Sequence, residues 1–424
     1  MFTKTIHKIC YFFGYMKPKI VKKNIHNINI DNISTNAIKV CETLQKAGFM
    51  SYIVGGAIRD LILGLKPKDF DITTNASPEE VKSLFRRAYI IGKRFRIVHV
   101  IMGKELIEIS TFRASPLEKD EFGRILKDNS FGSHQEDASR RDFTINSLYY
   151  NPMKQEIIDY YSGLKDLKHK KIRIIGNPVE RYREDPVRML RAIRLTTKIN
   201  GTLEKKTNIE IDALKDLIIN IPQARLFDEI IKILTCGNSF SCLEQLYAKN
   251  ILHNLIPSLN KTFTNKEDIN FLKIALNNTD YRLSQNKSIS PGFLLAIILW
   301  RPTKYLWKEL LSKQNNSFVS MDQASDKILL VQSKTLKIHK RIIIDAKEIW
   351  LMQTRLEAKN IKNYYKIIEH AKFRAAFDFM QLRAEAKEVD NGLSNWWIEF
   401  YKAEDDVKKQ LIKEKQNRKL KNKR

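Results

Sequence analysis

The sequence predicts an α+β first part built on a mixed sheet, followed by a neck and a body that are wholly helical. Three observations carry this reading. Thirteen of the fifteen glycines lie at or before Gly237, and only Gly292 and Gly392 follow. Short apolar runs bounded by turn residues crowd the first part, as strands do. From about Pro178 onward the apolar residues recur at helical spacing, as in Ile342 to Leu351 and Ala371 to Ala386. A chain of 424 residues is long enough for about two to four domains.

The elements follow in order. Residues 1–34 form a basic N-terminal arm. Its apolar run, Ile9 to Met16, is about half the length needed to span a bilayer and is followed by Lys17, Lys19, Lys22 and Lys23. The arm is expected to be disordered or docked on the surface. Residues 35–165 form the head. Met50 to Val54 reads as a strand running into Gly55 and Gly56, and Ala57 to Leu63 as a short helix stopped by Gly64. Further strands are expected around Phe70, over Ile97 to Met102 and over Leu106 to Phe112. Residues 166–255 form the neck and 256–405 the body. The tail, 406–424, is expected to be disordered. From Lys408 on it holds nine Lys or Arg and one Glu, so it is either phosphate-seeking or an ordinary solvated terminus.

Composition narrows the function. The 43% hydrophobic content is ample for a buried core and excludes disorder of the whole chain. With 75 Lys and Arg against 48 Asp and Glu the net charge is +27, which points to an acidic partner, nucleic acid ahead of a membrane surface. The abundance of Lys, Asn and Ile also fits AT-rich coding, which accounts for part of that charge. Cys10, Cys41, Cys236 and Cys242 make neither a disulfide framework nor a CxxC zinc site. A reducing, cytoplasmic setting is the expectation.

The most informative stretch is Lys68-Asp69-Phe70-Asp71-Ile72-Thr73. Alternation along a strand puts Asp69, Asp71 and Thr73 on one face and the apolar Phe70 and Ile72 on the other. Two neighbouring carboxylates repel unless a cation lies between them, and an all-oxygen donor set favours Mg²⁺, or Mn²⁺, over zinc. Alone the pattern is weak, because a solvated surface strand also carries it. Gly55 and Gly56, 14 residues upstream at a strand-to-helix turn, strengthen it. Glycines there let backbone N–H groups approach a phosphate, with Arg59 adding charge and Asp60 pairing or capping.

The whole string GGAIRDLILGLKPKDFDITTNASPEEV resembles the signature of the tRNA nucleotidyltransferase/poly(A) polymerase family. The resemblance implies a polymerase-beta-like nucleotidyltransferase head for residues 35–165. The second block, Glu136 to Tyr150, is similar to another motif of that family. Glu136/Arg140 and Asp137/Arg141 in it are also i,i+4 pairs of the kind any surface helix carries. The family implies that Arg141, Asp142 and Asn146 serve the ribose and phosphate end of the nucleotide. Asp142 is one candidate for a third carboxylate beside Asp69 and Asp71. Glu108 is the other, since alternation sets it opposite Ile107 and Ile109.

Arg181 to Arg194 starts a helix with Asp185 as N-cap and Pro186 at its first position. Arg188, Arg191 and Arg194 form a slowly turning stripe, which by itself is a basic amphipathic helix. The block looks like the family's nucleotide-selecting motif, which implies that Asp185 and Arg188 read the base edge. An Asp–Arg pair complements the amino donor and ring-nitrogen acceptor shared by adenine and cytosine, so it selects A or C without separating them. Ile91-Gly-Lys-Arg-Phe-Arg-Ile-Val-His-Val100, which includes Arg94, is otherwise a basic edge strand. It resembles the stretch that marks the bacterial poly(A) polymerase I branch. Asn177-Pro, Ala224 to Glu229, Phe373 to Phe377 and Trp396-Trp397 extend the likeness to about residues 35–400. Two departures stand out: Ala57 replaces a glycine common in relatives, and the loop from Ala114 to Phe131 is short. No His-Asp dipeptide is present, so an appended HD-type phosphohydrolase is not expected.

The resemblance implies template-independent addition of AMP from ATP to RNA 3′ ends, with Asp69 and Asp71 holding two Mg²⁺ ions. Gly55, Gly56, Arg59 and Arg94 would hold the triphosphate. The expected partners are ATP and the 3′ ends of mRNA and other transcripts, with RNA-decay proteins compatible, no stable membrane span and a monomeric state. A CCA-adding enzyme shares the chemistry but stops after three nucleotides. A non-catalytic RNA-binding protein is the reading of another class, and the intact acidic pair beside the glycine turn argues against it.

Overall fold

The computed structural model describes residues 17–92, 96–114, 118–119, 125–127, 130–358 and 363–421, with no side-chain description beyond 415 or within 118–127. The chain divides into two compact units, residues 1–217 and 218–424. The division falls inside the stretch expected to be the neck.

The first unit is built on an eight-stranded mixed sheet. In chain order its strands are β1 (Lys19–Lys22), β2 (Ser51–Val54), β3 (Asp71–Thr74), β4 (Ala88–Ile91), β5 (Ile97–Met102), β6 (Glu105–Thr111), β7 (Leu148–Asn151) and β8 (Glu156–Asp159). The spatial order is β1-β8-β7-β2-β3-β6-β5-β4, antiparallel throughout except for β3 beside β6. That parallel step needs a crossover, which the segment holding β4 and β5 supplies. All four residues of β2 are buried, as befits a central strand.

Helices complete the unit. α1 (Thr35–Lys46) starts where the Ser34 Oγ accepts from the N–H groups of Asn36 and Ala37, and it buries Ala37, Val40, Cys41 and Leu44 at helical spacing. Burial pushes the Cys41 thiol up to about 12, so it stays protonated and inert. The seven-residue α2 (Gly56–Ile62) follows β2 directly, and α3 (Pro78–Leu84) opens on a Ser77/Glu80 capping box. α4 (His134–Arg140) opens on a second box, in which Glu136 accepts from Ser133. The Glu136 carboxylate therefore closes the helix start.

The arm and the base-reading helix also depart from expectation. Lys19–Lys22 is a sheet-edge strand paired with β8 and burying Val21, so this part of the arm is ordered. The apolar run Ile9 to Met16 lies outside the described residues. Asn177 caps α5 (Pro178–Glu184), which ends at Asp185. α6 (Val187–Lys198) then starts with Pro186 as N-cap residue, one position later than expected, because proline lacks the N–H and restricts its predecessor to extended backbone. The Asp185 carboxylate still accepts from the Val187 N–H at 3.3 Å.

The second unit is helical. Its later part comprises α7 (Lys340–Leu356), α8 (Phe373–Glu385), α9 (Asn391–Lys402) and α10 (Asp405–Lys421). Glu388, whose side chain is almost wholly buried, ties this unit together. It meets Arg301 at 2.7 Å and Lys304 at 3.0 Å and accepts from the Trp300 indole at 3.0 Å. Each partner matters because an unpaired buried charge is costly. The disordered tail expected from residue 406 is not found: α10 runs to Lys421, and Leu411 joins a core with Trp397 and Phe400. Among the described residues no helix is long and apolar enough to cross a membrane.

Candidate active site

β2 delivers the chain into the glycine turn. Gly55 has φ 74° and ψ −139°, a backbone closed to residues with a Cβ, and α2 begins immediately after it. Pairing of β2 with β3 sets Val54 opposite Asp71. The turn therefore lies against the first acidic residue of β3. A Cβ on Gly55 would sit 3.9 Å from both the Asp71 Oδ2 and the Arg141 Nη1. Three parts of the sequence, 16 to 86 residues from one another by number, thus meet at one turn.

Asp71 begins β3, and Asp69 lies just before the strand, while Phe70 and Ile72 are buried beneath as alternation requires. The parallel register Ile72–Ile109 and Thr73–Ser110 places Glu108 beside Asp71. Solvent reaches Asp71, yet protein surrounds most of its carboxylate. Its pKa is raised to about 6, first by burial and next by Glu108, with Arg141 opposing and Asp69 adding to the rise. Glu108 in turn faces His99 across β5 and β6, with 3.5 Å between Nε2 and Oε1.

Asp142 is engaged elsewhere. It meets Arg191 at 2.6 Å and accepts from the Asn146 amide at 3.2 Å and the Phe143 N–H at 2.8 Å. Burial raises its pKa, but Arg191, Asn146, the Phe143 N–H and Arg188 outweigh that, leaving it below the usual carboxylate value. Asn146 passes the chain of contacts on: its Oδ1 accepts from the Arg59 Nη1 at 2.8 Å. Arg59 also pairs with Asp60 at 2.7 Å, and the other Asp60 oxygen takes Lys198 at 2.8 Å. Arg59 is buried, with its Nη2 3.3 Å from where a Cβ on Gly56 would be. Its guanidinium lies under the glycine turn, inside this network.

Arg141 is held by two partners: Asp137, which the i,i+4 spacing had already paired with it, and Tyr149, which the sequence reading did not single out. The Tyr149 hydroxyl accepts from Nε at 2.8 Å, and the Asp137 Oδ2 accepts from Nη2 at 3.0 Å. Asp137 had shown only as a helix ion pair, and Tyr149 only as part of a motif. The Arg188 side chain is buried and pairs with Glu184, while its Nη1 also donates to the Arg181 carbonyl at 2.8 Å. Arg191 reaches Asp142 with its side chain still partly exposed, so of the arginine stripe it is Arg188 that is turned inward. Arg94 lies outside the described residues.

Comparison with known proteins places this site in context. The Poly A polymerase head domain family matches residues 51–173, the family described as the probable RNA and SrmB-binding site of polymerase A matches 201–263, and the polymerase A arginine-rich C-terminus matches 313–424. The chain is 40% identical to the poly(A) polymerase I of Salmonella typhi over 413 residues, covering 93% of this chain and 88% of that one. For the poly(A) polymerase I of Haemophilus influenzae the figures are 39% over 415 residues, 94% and 91%. A CCA-adding enzyme of Lactobacillus helveticus is 39% identical over only 204 residues, 48% of this chain and 51% of that one. Among solved structures, an apo tRNA-processing enzyme shares the fold with a TM-score of 0.59, at 22% identity over 91% of this chain and 98% of that one. The Thermotoga maritima CCA-adding enzyme complexed with tRNA shares it with a TM-score of 0.55, at 18% identity over 93% and 85%.

Proposed function

The chain belongs to the poly(A) polymerase family and is a polynucleotide adenylyltransferase, adding AMP from ATP to RNA 3′ ends; we propose that Asp71, Glu108 and Asp69 form the acidic centre at which it does so. The reach of the likeness carries the activity: it spans 93% of the chain for a poly(A) polymerase I, against 48% for a CCA-adding enzyme. What supports the acidic centre is the β3–β6 register that sets Glu108 beside Asp71, with Asp69 just before the strand; the Asp71 pKa is raised first by burial and next by Glu108, and a divalent cation would relieve both.

The donor set fits Mg²⁺ or Mn²⁺, being all oxygen, although among the described residues no three ligands already stand at metal spacing. Bound there, two such ions would supply Lewis acidity at the RNA 3′-hydroxyl and neutralise charge on the departing pyrophosphate. The protein's own groups do the rest. The Gly55 and Gly56 N–H groups and the Arg141 Nη1 hold the triphosphate. Asp142 and Asn146, tied to Arg191 and Arg59, fix the ribose end of the pocket. Asp185 and Arg188 read the edge of adenine. The finer reading is a cytoplasmic monomer acting on mRNA and other transcripts.

The test uses purified protein, a non-tRNA oligomer and ATP alone. Long homopolymeric tails are expected. No extension of that oligomer, with a single A added to a parallel tRNA primer that already ends in CC, would overturn poly(A) synthesis in favour of CCA addition. In the same assay Asp71→Asn and Glu108→Gln are each expected to lower the rate at least 100-fold with RNA binding retained. A Glu108→Gln variant with wild-type rate would remove Glu108 from the centre.

A further inference from the structure

Arginine presents five N–H donors in a rigid planar fork, so fixing one edge fixes where the other points. In Arg141 one edge is fully committed. Nε donates to the Tyr149 hydroxyl at 2.8 Å and, more weakly, to the Asp137 Oδ2 at 3.3 Å, while Nη2 donates to the same Asp137 oxygen at 3.0 Å. The Tyr149 hydroxyl donates its own proton to the Asp137 Oδ2 at 2.8 Å, closing a triangle. The guanidinium carbon stands 4.9 Å from the centre of the Tyr149 ring. Among the described residues Nη1 makes no hydrogen bond, and it is the atom 3.9 Å from the Cβ position of Gly55.

The partners are themselves held. Tyr149 is wholly buried in β7, beside Val54 and hence next to the glycine turn. Its ring lies edge-on to His134 at 4.3 Å, Tyr52 at 6.1 Å and Tyr160 at 6.5 Å, so it has no room to swing. Asp137 is buried in α4. Its carboxylate is kept ionised against burial by Arg141 and the Tyr149 hydroxyl, and the Tyr149 pKa lies well above its ordinary value. The hydroxyl therefore stays a donor throughout the working pH range.

We propose that Tyr149 and Asp137 are positioning residues for triphosphate binding: together they hold one edge of Arg141 so that Nη1 alone faces the space above the Gly55 turn. This rests on the proposed role of Arg141 toward the triphosphate. It assigns to a buried tyrosine and a buried aspartate, neither of which touches substrate, the aim of the cation that does. A guanidinium presented by one edge takes a terminal phosphate oxygen without reaching the neighbouring Asp71 bidentately, which would neutralise the acidic centre. Preorganisation of this kind lowers the cost of binding rather than the barrier to chemistry.

The test is a double-mutant cycle on the full chain, read by equilibrium binding of inorganic triphosphate and by KM for ATP. Tyr149→Phe keeps the ring and removes the hydroxyl. It is expected to weaken triphosphate binding and raise KM for ATP about tenfold, with kcat within twofold and KM for RNA unchanged. Arg141→Lys removes the fork, so adding Tyr149→Phe to it is expected to cost nothing more. Asp137→Asn, which keeps shape and loses charge, reads the same cycle should the tyrosine variant fold poorly, and Asp137→Glu is expected to recover part of the loss. Losses that add across the cycle, or a Tyr149→Phe protein that binds triphosphate as the wild type does, would overturn the inference. Because triphosphate binding is measured without RNA, a failure to make poly(A) tails would count against the proposed function and leave this result standing.

Discussion

Gly55 and its neighbour Gly56 make different demands. A Cβ on Gly55 meets nothing closer than 3.9 Å, so space does not exclude it. The constraint is the backbone itself, at φ 74° and ψ −139°. Gly55→Ala is therefore expected to cost about 1–3 kcal/mol of stability and to abolish nucleotide addition, because relieving the strain turns the phosphate-facing N–H groups away. Gly56 already begins a helix, and a Cβ there presses only on the end of the Arg59 side chain at 3.3 Å. Gly56→Ala should cost less stability than Gly55→Ala, and a Gly55→Ala protein that is equally stable would refute the strain argument. His134 carries a pH prediction. Burial lowers its pKa from 6.5 to about 4, so the unfolded chain takes up a proton before the folded one does as pH falls. Its contribution to stability is complete above about pH 6.5 and is lost progressively down to about pH 4, by at most about 3 kcal/mol. Denaturant unfolding of His134→Phe across that window should show a shallower pH slope than wild type; parallel slopes would show that His134 does not titrate on unfolding. Of these residues only Gly55 and Gly56 were legible. The glycine turn could be read from sequence because its signal is local. The aromatic surroundings of His134 could not, since Tyr52, Phe112 and Tyr160 reach it from three distant segments.

At the scale of elements, α6 is joined to the head at both ends. Arg191 meets Asp142, and Lys198 meets Asp60, which also holds Arg59. Asp60→Asn leaves two cations short of their anion and is expected to cost about 3 kcal/mol, with a lower ATP affinity because the helix that carries Arg188 loses an anchor. A double variant, Asp60→Asn with Lys198→Met, should regain part of that stability in thermal unfolding. If it is no more stable than the single variant, the pair does not act as an anchor. Most of these elements could be read from apolar spacing and turn residues. Strand β5 falls at Ile97–Met102 as expected, and α8 and α7 cover the two helical stretches that periodicity marked. What spacing could not give was partnership. The Asp71–Glu108 neighbourhood depends on β3 and β6 running parallel after an intervening pair of strands, a non-local fact. Glu108 and Asp142 therefore stood as equal candidates in the sequence. Edge strand β1 was missed because three of its four residues are exposed and two are lysines, a pattern that also describes a loose arm.

For the molecule as a whole, the charge of +27 is not one property but several. Some of the cations do not belong to that excess at all: Arg59, Arg188, Arg301 and Arg383 are buried and balanced by carboxylates, and they contribute to architecture rather than to an RNA-attracting field. The C-terminal helix divides in the same way. Its composition suggested an unfolded tail, but Leu411 and Ile412 pack into the core that holds Trp397 and Phe400, and the Lys415 ammonium stands 3.5 Å from the Trp396 ring centroid. Those two apolar residues among the lysines were the sequence signal that charge obscured. Beyond them, residues 416–424 hold Arg418, Lys419, Lys421, Lys423 and Arg424. Deleting 416–424 keeps Leu411, Ile412 and Lys415 and should flatten the salt dependence of RNA binding. Five lost phosphate contacts would reduce the logarithmic slope by up to about 3.5 on a single strand. Deleting 405–424 should instead destabilise the body, by about 2 kcal/mol for the uncovered Leu411 and roughly 1 more for the cation over Trp396. An unchanged salt slope in the shorter deletion would mean that the terminal cations do not contact RNA. The charge would then have to act through the head and the remaining body surface alone, and the helix would serve only to close the aromatic core.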